Sequence, residues 1–229
     1  MTKEIKGKHP SKQNVKVAVD NCIFTVKDGT LHLLLIQMKK KPYTNLWALP
    51  GGLIRERESV DDAAARVLEE ETGVRGVYLE QLYTFGNPSR DPFGRVVSVA
   101  YVALIPWARY SLRTIAKYAD VRWWPVKDIP KKMAYDHADI AEYAKQRLAW
   151  KLEYTNVAWS LLPPKFTLTE LQGVYEAVLG SLLDKRNFRK KILALRLVEE
   201  VGETAMRGAH RPAMLYRFKS TKPQIVDVL

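Results

Sequence analysis

Only one cysteine, Cys22, occurs in the 229 residues, which excludes an internal disulfide. Its place in an apolar stretch, residues 17–26, reads as a buried thiol. The four histidines, His9, His32, His137 and His210, stand at spacings that match no zinc site, and there is no second cysteine to help. Zinc is not expected. No apolar run approaches the roughly 20 residues that span a bilayer, and the lysine-bearing N-terminus has no apolar core behind it. The reading is a cytoplasmic, unexported protein with no membrane partner. Acidic residues are also in deficit. Twenty-five Asp and Glu face thirty-seven Lys and Arg, a formal charge of +12, and this favours anionic partners such as nucleic acid, nucleotides or phosphosugars.

What remains is ordinary globular composition, 47% hydrophobic and 27% charged, in a chain long enough for two domains. After a basic tail, residues 1–14, two strands are predicted at 15–24 and 31–38, joined by the turn Lys27-Asp28-Gly29. Pro50-Gly51-Gly52 ends an extended stretch. Ser59 fits a helix N-cap with Asp62 as its capping-box partner, and Gly73 suits the terminus, so a helix is expected over 59–72. Strands follow at 77–85 and 95–105, then a helix that starts at Asp136 or Asp139 and runs to about residue 152. Pro163-Pro164 cannot continue a helix and lies in a natural boundary. The domains are therefore read as 15–155 and 156–229.

Around the first helix stand Gly52, Glu58, Arg66, Val67, Leu68, Glu70, Glu71, Gly73 and Val74. Their spacing resembles the Nudix signature throughout, except that the glutamate after the arginine is Val67. Residues three and four apart on a helix share a face, so position 67 lies beside Glu70 and Glu71. The resemblance implies that Glu70 and Glu71 bind magnesium, with manganese as a substitute, and that Arg66 orients the carboxylates. Valine can neither coordinate magnesium nor accept a proton. General-base help is worth about 10²-fold to 10⁴-fold in rate, so its loss predicts a slow or dead hydrolase, with Glu58, Arg66, Glu70 and Glu71 as the residual catalytic positions. The alternative stays open: Val60, Ala63, Ala64, Val67 and Leu68 also form a plain apolar stripe, with Glu70 and Glu71 solvated or paired with arginines. The loop 86–95 carries Arg90, Asp91 and Arg95. With Gly51 and Gly52, these are the candidate ligand-binding residues.

The second half has a different pattern. A helix from Thr169 stopped by Gly180, a second from Asp184 to about Leu195, and a hairpin ending in 213–218 outline a winged helix-turn-helix. From residue 160 onward twelve Lys and Arg face seven Asp and Glu, 12 − 7 = +5. Lys185-Arg186-Asn187-Phe188-Arg189-Lys190-Lys191 opens the second helix, with Phe188, Ile192 and Leu195 expected to face the core and Arg186, Arg189 and Lys190 the outer arc. Lys185, Arg186, Asn187, Arg189, Lys190 and Lys191 are candidates for DNA contact, with Arg211, Arg207 and His210 in the wing. A charge run of this kind is otherwise a solvated face.

The whole chain resembles the Nudix-related transcriptional regulators of the NrtR family. The shared features run through Trp47-Ala-Leu-Pro-Gly-Gly, Tyr83-Thr-Phe-Gly, Arg90-Asp-Pro, Asp136-His-Ala-Asp-Ile, Leu162-Pro-Pro-Lys-Phe-Thr, Asp184-Lys-Arg-Asn-Phe-Arg and Arg211-Pro-Ala-Met-Leu-Tyr-Arg-Phe. The resemblance implies an α+β protein: a Nudix α/β/α sandwich with a mixed sheet, then a small winged helix. It further implies a homodimeric repressor that binds operator DNA and senses a nucleotide-sugar or phosphosugar such as ADP-ribose. The rival expectation is an active hydrolase that cleaves ADP-ribose to AMP and ribose 5-phosphate, with the winged helix as an accessory.

Overall fold

Asp28 and Gly29, with φ of 48° and 70°, form the two-residue left-handed turn that suits the twist of a hairpin. They join β1 (Lys16–Lys27) to β2 (Thr30–Met38) in the computed structural model, which describes residues 14–107, 117–206 and 212–228. The hairpin pairs only over Phe24↔Leu33 to Lys27↔Thr30. Upstream, the same edge of β1 is taken by β4 (Gly51–Leu53), from Ala18↔Leu53 to Asp20↔Gly51. The diverging end of β2 takes β3 (Trp47–Ala48) through Ile36 and Gln37. The sheet is thus forked between β1 and β2, and the Pro50-Gly51-Gly52 stretch lies in the fork.

On its other edge β1 runs parallel to β6 (Val96–Leu104), which pairs antiparallel with β5 (Tyr78–Phe85). The outer edge of β2 pairs antiparallel with β7 (Tyr118–Pro125). Among the described residues this is a mixed seven-stranded sheet. Alternation along the strands separates its two faces. Val19, Ile23, Leu34, Val99, Tyr101 and Ala103 meet α1 (Val60–Thr72) through Ala63, Ala64, Val67 and Leu68. Cys22, Phe24, Leu33, Leu35, Val102 and Leu104 meet α2 (His137–Tyr154) through Ile140, Ala144, Leu148 and Leu152. This is an α/β/α sandwich.

A second layer of contacts ties α2 to the C-terminal elements. A short 3-10 turn, Val157–Leu161, leads to α3 (Leu168–Leu179), α4 (Lys185–Ala194) and the hairpin β8 (Val198–Ala205) with β9 (Ala213–Phe218). Thr167 and Glu170 close a reciprocal capping box at the start of α3, and Gly180, at φ 71°, ends it. Phe166, Leu171, Tyr175, Phe188 and Ile192 continue the apolar cluster that begins under the sheet. The C-terminal segment returns to the end of α2, with Val226 N–H donating to the Tyr154 carbonyl at 2.9 Å and Val228 N–H to that of Glu153 at 2.8 Å.

Each element expected from the sequence has a counterpart within a few residues. Ser59 caps α1 as expected, but Asp62 departs from a reciprocal box: its backbone N–H donates to Ser59 Oγ at 3.1 Å, and its carboxylate accepts from that same hydroxyl at 2.7 Å. The short β3 is the extended stretch expected before Pro50, but Gly51–Leu53, expected to start a loop, pairs with β1 as β4; β7 and the returning C-terminal segment had no sequence expectation. The basic tail, apart from Asn14, and the wing residues Arg207, His210 and Arg211 lie outside the described residues. Among the described helices none is long and apolar enough to cross a membrane.

Candidate functional site

Helix α1 and the turn before it set out the signature carboxylates, and each is held by a cation. Arg66 donates to both oxygens of Glu58, at 2.5 Å and 2.8 Å, and to Glu70 at 3.0 Å, while Arg55 takes the other oxygen of Glu70 at 3.0 Å. The hydrogen bonds from Arg66 hold the Glu58 carboxyl down at about 2. Glu71 points elsewhere. It is buried, and its Oε1 accepts from Tyr118 Oη at 2.6 Å and from Lys117 Nζ at 3.0 Å. Burial raises its pKa in spite of these two donors.

The fork of the sheet opens a cavity of about 240 Å³ lined by Asp20, Leu49, Gly51, Gly52, Arg90, Asp91, Lys117, Tyr118, Tyr135 and His137, among others. Gly51 is required there: a Cβ would stand 2.8 Å from the Val19 carbonyl and would collide with the Asp20 carboxylate. Asp20 is the centre of a buried network. Its Oδ2 accepts from Ser98 Oγ at 2.5 Å and from Arg90 Nη2 at 3.2 Å, and its Oδ1 lies 3.3 Å from His137 Nε2. Burial opposes ionisation of Asp20, but His137, Ser98 and Arg90 outweigh it and hold the carboxyl at about 2. His137 Nδ1 accepts the Leu49 backbone N–H at 2.9 Å, so the ring proton belongs on Nε2, aimed at Asp20. Arg90 also grips Asp136, the N-cap residue of α2. This contact explains why Asp136 makes no side-chain cap bond to its own helix.

A divalent cation fits this donor set poorly. Magnesium needs near-octahedral oxygen coordination, and among the described residues no group of three or more His, Cys, Asp or Glu is arranged to hold a metal. Glu58 and Glu70 are neutralised by arginine. Glu71 has one oxygen engaged and the other, Oε2, buried without a hydrogen-bond partner. Val67, 2% exposed, offers only methyl groups and packs with Val19, Val99 and Tyr101. The carboxylates that would ligate the ion are each committed to a basic side chain instead.

The basic run lies on α4. Asp184 caps the helix by accepting the Asn187 backbone N–H at 2.7 Å, and Phe188 and Ile192 are buried, with Leu195 packed at the edge of the core. Lys185, Arg186, Asn187 and Lys190 are exposed. Arg189 and Lys191 differ. Arg189 reaches back to Thr169 Oγ1 at 2.9 Å, and Lys191 Nζ lies 3.6 Å from Asp227 in the returning C-terminal segment. Of the candidate ligand residues, Gly51, Gly52, Arg90 and Asp91 line one cavity, whereas Arg95 does not. Its Nη1 donates to the Gly86 carbonyl at 2.8 Å and staples the base of the 86–95 loop. Asp20, Lys117, Tyr118, Tyr135 and His137 were missed as lining residues. Of these, only His137 was marked in the sequence, within the Asp136-His-Ala-Asp-Ile stretch of the family resemblance.

Comparison with known proteins covers both halves. Residues 15–144 match the NUDIX domain and residues 158–218 the NrtR DNA-binding winged helix domain. The chain is 41% identical over 205 residues to an "ADPR responsive transcriptional repressor NtrR" of Acinetobacter baylyi, covering 88% of this chain and 81% of that protein. It superposes on the crystal structure of Shewanella oneidensis NrtR complexed with a 27mer DNA with a TM-score of 0.79 at 38% identity, over 89% of this chain and 93% of that one. The NUDIX domain of the same Shewanella protein complexed with ADP ribose matches with a TM-score of 0.52 at 42% identity, over 58% of this chain and 87% of that one. A forked Nudix sandwich and a winged helix built on a single apolar cluster, matched over both parts, place this chain in the NrtR family of Nudix-related, DNA-binding transcriptional regulators.

Proposed function

We propose that the protein is a repressor that binds operator DNA as a homodimer and releases or tightens its grip when a nucleotide-sugar or phosphosugar, ADP-ribose first among them, enters the cavity of the forked sheet. Gly51, Gly52, Arg90 and Asp91 are the proposed ligand contacts, with Arg95 acting through the loop it staples. Lys185, Arg186, Asn187 and Lys190 are the proposed DNA contacts. Arg189 and Lys191 stand beside them with intramolecular partners of their own, and Arg211, outside the described residues, is proposed as a wing contact. The observation that carries the reading is continuity. Arg90 and His137 tie the cavity wall to the start of α2, and the far end of α2 shares its core with the winged helix. A ligand that favours one setting of these elements shifts the DNA affinity by its differential binding to the two states.

Hydrolysis is not part of this reading, because Val67 supplies no base and the signature carboxylates are engaged by basic side chains. Magnesium or manganese, if added, has Glu70 and Glu71 as its only signature donors free of a bidentate arginine clasp. The test is operator binding, with fragments selected from the genome, measured with and without ADP-ribose and followed by chromatography of the nucleotide. A change in operator affinity with ADP-ribose intact supports the proposal. Unchanged affinity at saturating ADP-ribose, or turnover to AMP at ordinary enzymatic rates, overturns it.

A further inference from the structure

The positive groups that line the cavity are unequal. The Arg90 side chain is 3% exposed and spends its charge on Asp20 and Asp136. His137 has both ring nitrogens engaged, Nδ1 with the Leu49 backbone N–H and Nε2 facing Asp20. Lys117 is different: its side chain is 58% exposed, and it lines the same cavity. Its ammonium donates once to Glu71 Oε1 and sits 4.9 Å from the centre of the Tyr118 ring. Tyr118 in turn donates to the same Glu71 oxygen. An ammonium has three donors, so Lys117 retains capacity for a ligand after its bond to Glu71. Among the described residues that line the cavity, it is the one cation with broad access to solvent.

A diphosphate needs positive charge wherever it binds. In a metal-using Nudix site a divalent cation supplies it, and the donor set here does not fit one. We infer that Lys117, fixed by Glu71 and the ring of Tyr118, supplies the positive charge for the diphosphate of a nucleotide-sugar, so that the cavity binds its effector without a divalent cation. The inference rests on the effector reading above. Glu71 thereby changes role, since the carboxylate that would have held a metal now holds a lysine. The same role accounts for the depth at which Glu71 is buried: a carboxylate with a fixed lysine and tyrosine on one oxygen is a positioning residue rather than a solvated charge.

The test is calorimetric titration of the full chain with ADP-ribose, once in EDTA and once with magnesium, for the native protein, Lys117→Met and Lys117→Arg. Native binding in EDTA is expected to equal that in magnesium. Charge-assisted hydrogen bonds of this kind make the expected loss for Lys117→Met about 10-fold to 100-fold in affinity, with Lys117→Arg within about threefold of native. A thermal melt of Lys117→Met close to native excludes misfolding as the cause. Native binding that requires magnesium, or equal affinity in Lys117→Met, overturns the inference and leaves the effector reading standing. Native protein that binds ADP-ribose under neither condition overturns the effector reading, and this inference with it.

Discussion

The guanidinium of Arg90 grips the carboxylate of Asp136 with two parallel hydrogen bonds, Nε to Oδ2 at 2.9 Å and Nη2 to Oδ1 at 2.6 Å. The pair joins the loop between β5 and β6 to the N-cap residue of α2. It does so beside the cavity, and the same Nη2 also reaches Asp20. A planar fork suits this geometry, and lysine in place of arginine could not make both bonds to Asp136. The pair ties a residue that lines the cavity to the start of α2, the link that the proposed coupling uses.

Arg90→Met is expected to destabilise the fold by about 3–5 kcal/mol, because it leaves the buried Asp20 and the partly buried Asp136 without their cation. Asp136→Asn keeps an acceptor and is expected to lose only about 1 kcal/mol. Urea unfolding of the two variants checks the difference. A loss below about 1 kcal/mol for Arg90→Met would mean that Asp20 and Asp136 find other partners.

Asp20 makes stability depend on pH on the acid side. Its carboxyl is depressed from 3.8 to about 2 in the fold. Its contribution is therefore complete above pH 3.8 and is lost as the pH falls towards 2. The shift is worth about 2–3 kcal/mol. Glu71 runs the other way: its raised value means its contribution is present at low pH and is lost as the pH rises through the folded pKa, so it cannot cause the acid loss. Asp20→Asn is expected to flatten the pH dependence of the unfolding free energy between pH 3.8 and 2. An unchanged slope would assign the acid loss to other carboxylates.

The sequence made α1 legible down to its caps, because Ser59 and Gly73 act through the adjacent backbone. The recognition-type helix was legible for the same reason: Asp184 and the buried Phe188 and Ile192 are local signals. The cavity was not. Asp20 sits in a strand that reads as apolar, and its partners Ser98 and Arg90 lie 78 and 70 residues away. Strand β7 was hidden because it carries Asp120 and Arg122 between its aromatic residues and lies on the edge of the sheet beyond β2. Arg95 and Arg189 look like ligand and DNA contacts by charge alone. The folded geometry adds partners that charge does not announce, the Gly86 carbonyl for Arg95 and the Thr169 hydroxyl for Arg189.

Val67→Glu tests whether one missing carboxylate is all that separates this chain from a hydrolase. The methyl groups of Val67 pack with Val19, Val99 and Tyr101 and pass beneath Gly52, where a Cβ would lie 3.7 Å from Val67 Cγ2. A carboxylate there is taken out of water without a partner, at a cost of about 3–5 kcal/mol. The other signature carboxylates stay bound to Arg66, Arg55 and Lys117. The variant is therefore expected to melt earlier and to leave ADP-ribose intact with magnesium present. Turnover that rises about 10²-fold or more above the native background would show that the remaining carboxylates can reorganise around a metal.

On α4 the seven-residue run contains five cations, but the structure divides them by what else they touch. Lys190 is exposed, so it is free to meet a phosphate, and Lys190→Ala is expected to reduce the slope of log affinity against log salt by about 0.9. Arg186, exposed in the first turn next to Asn187, is the proposed base-edge contact. Arg186→Ala is expected to lower operator affinity by about 1–3 kcal/mol and to relax the preference at one base pair, while ADP-ribose binding is unchanged. Lys191, turned towards Asp227, serves as the internal control: Lys191→Ala is expected to leave the salt slope as it is. Charge density alone would predict equal effects at 190 and 191, since the two are neighbours of the same sign. A helix, however, sends adjacent residues to different sides of its axis, and only one of those sides is clear of the C-terminal segment. Equal slopes for the two variants in anisotropy titrations would therefore place the DNA on a wider face of α4 than the exposed arc of Arg186 and Lys190.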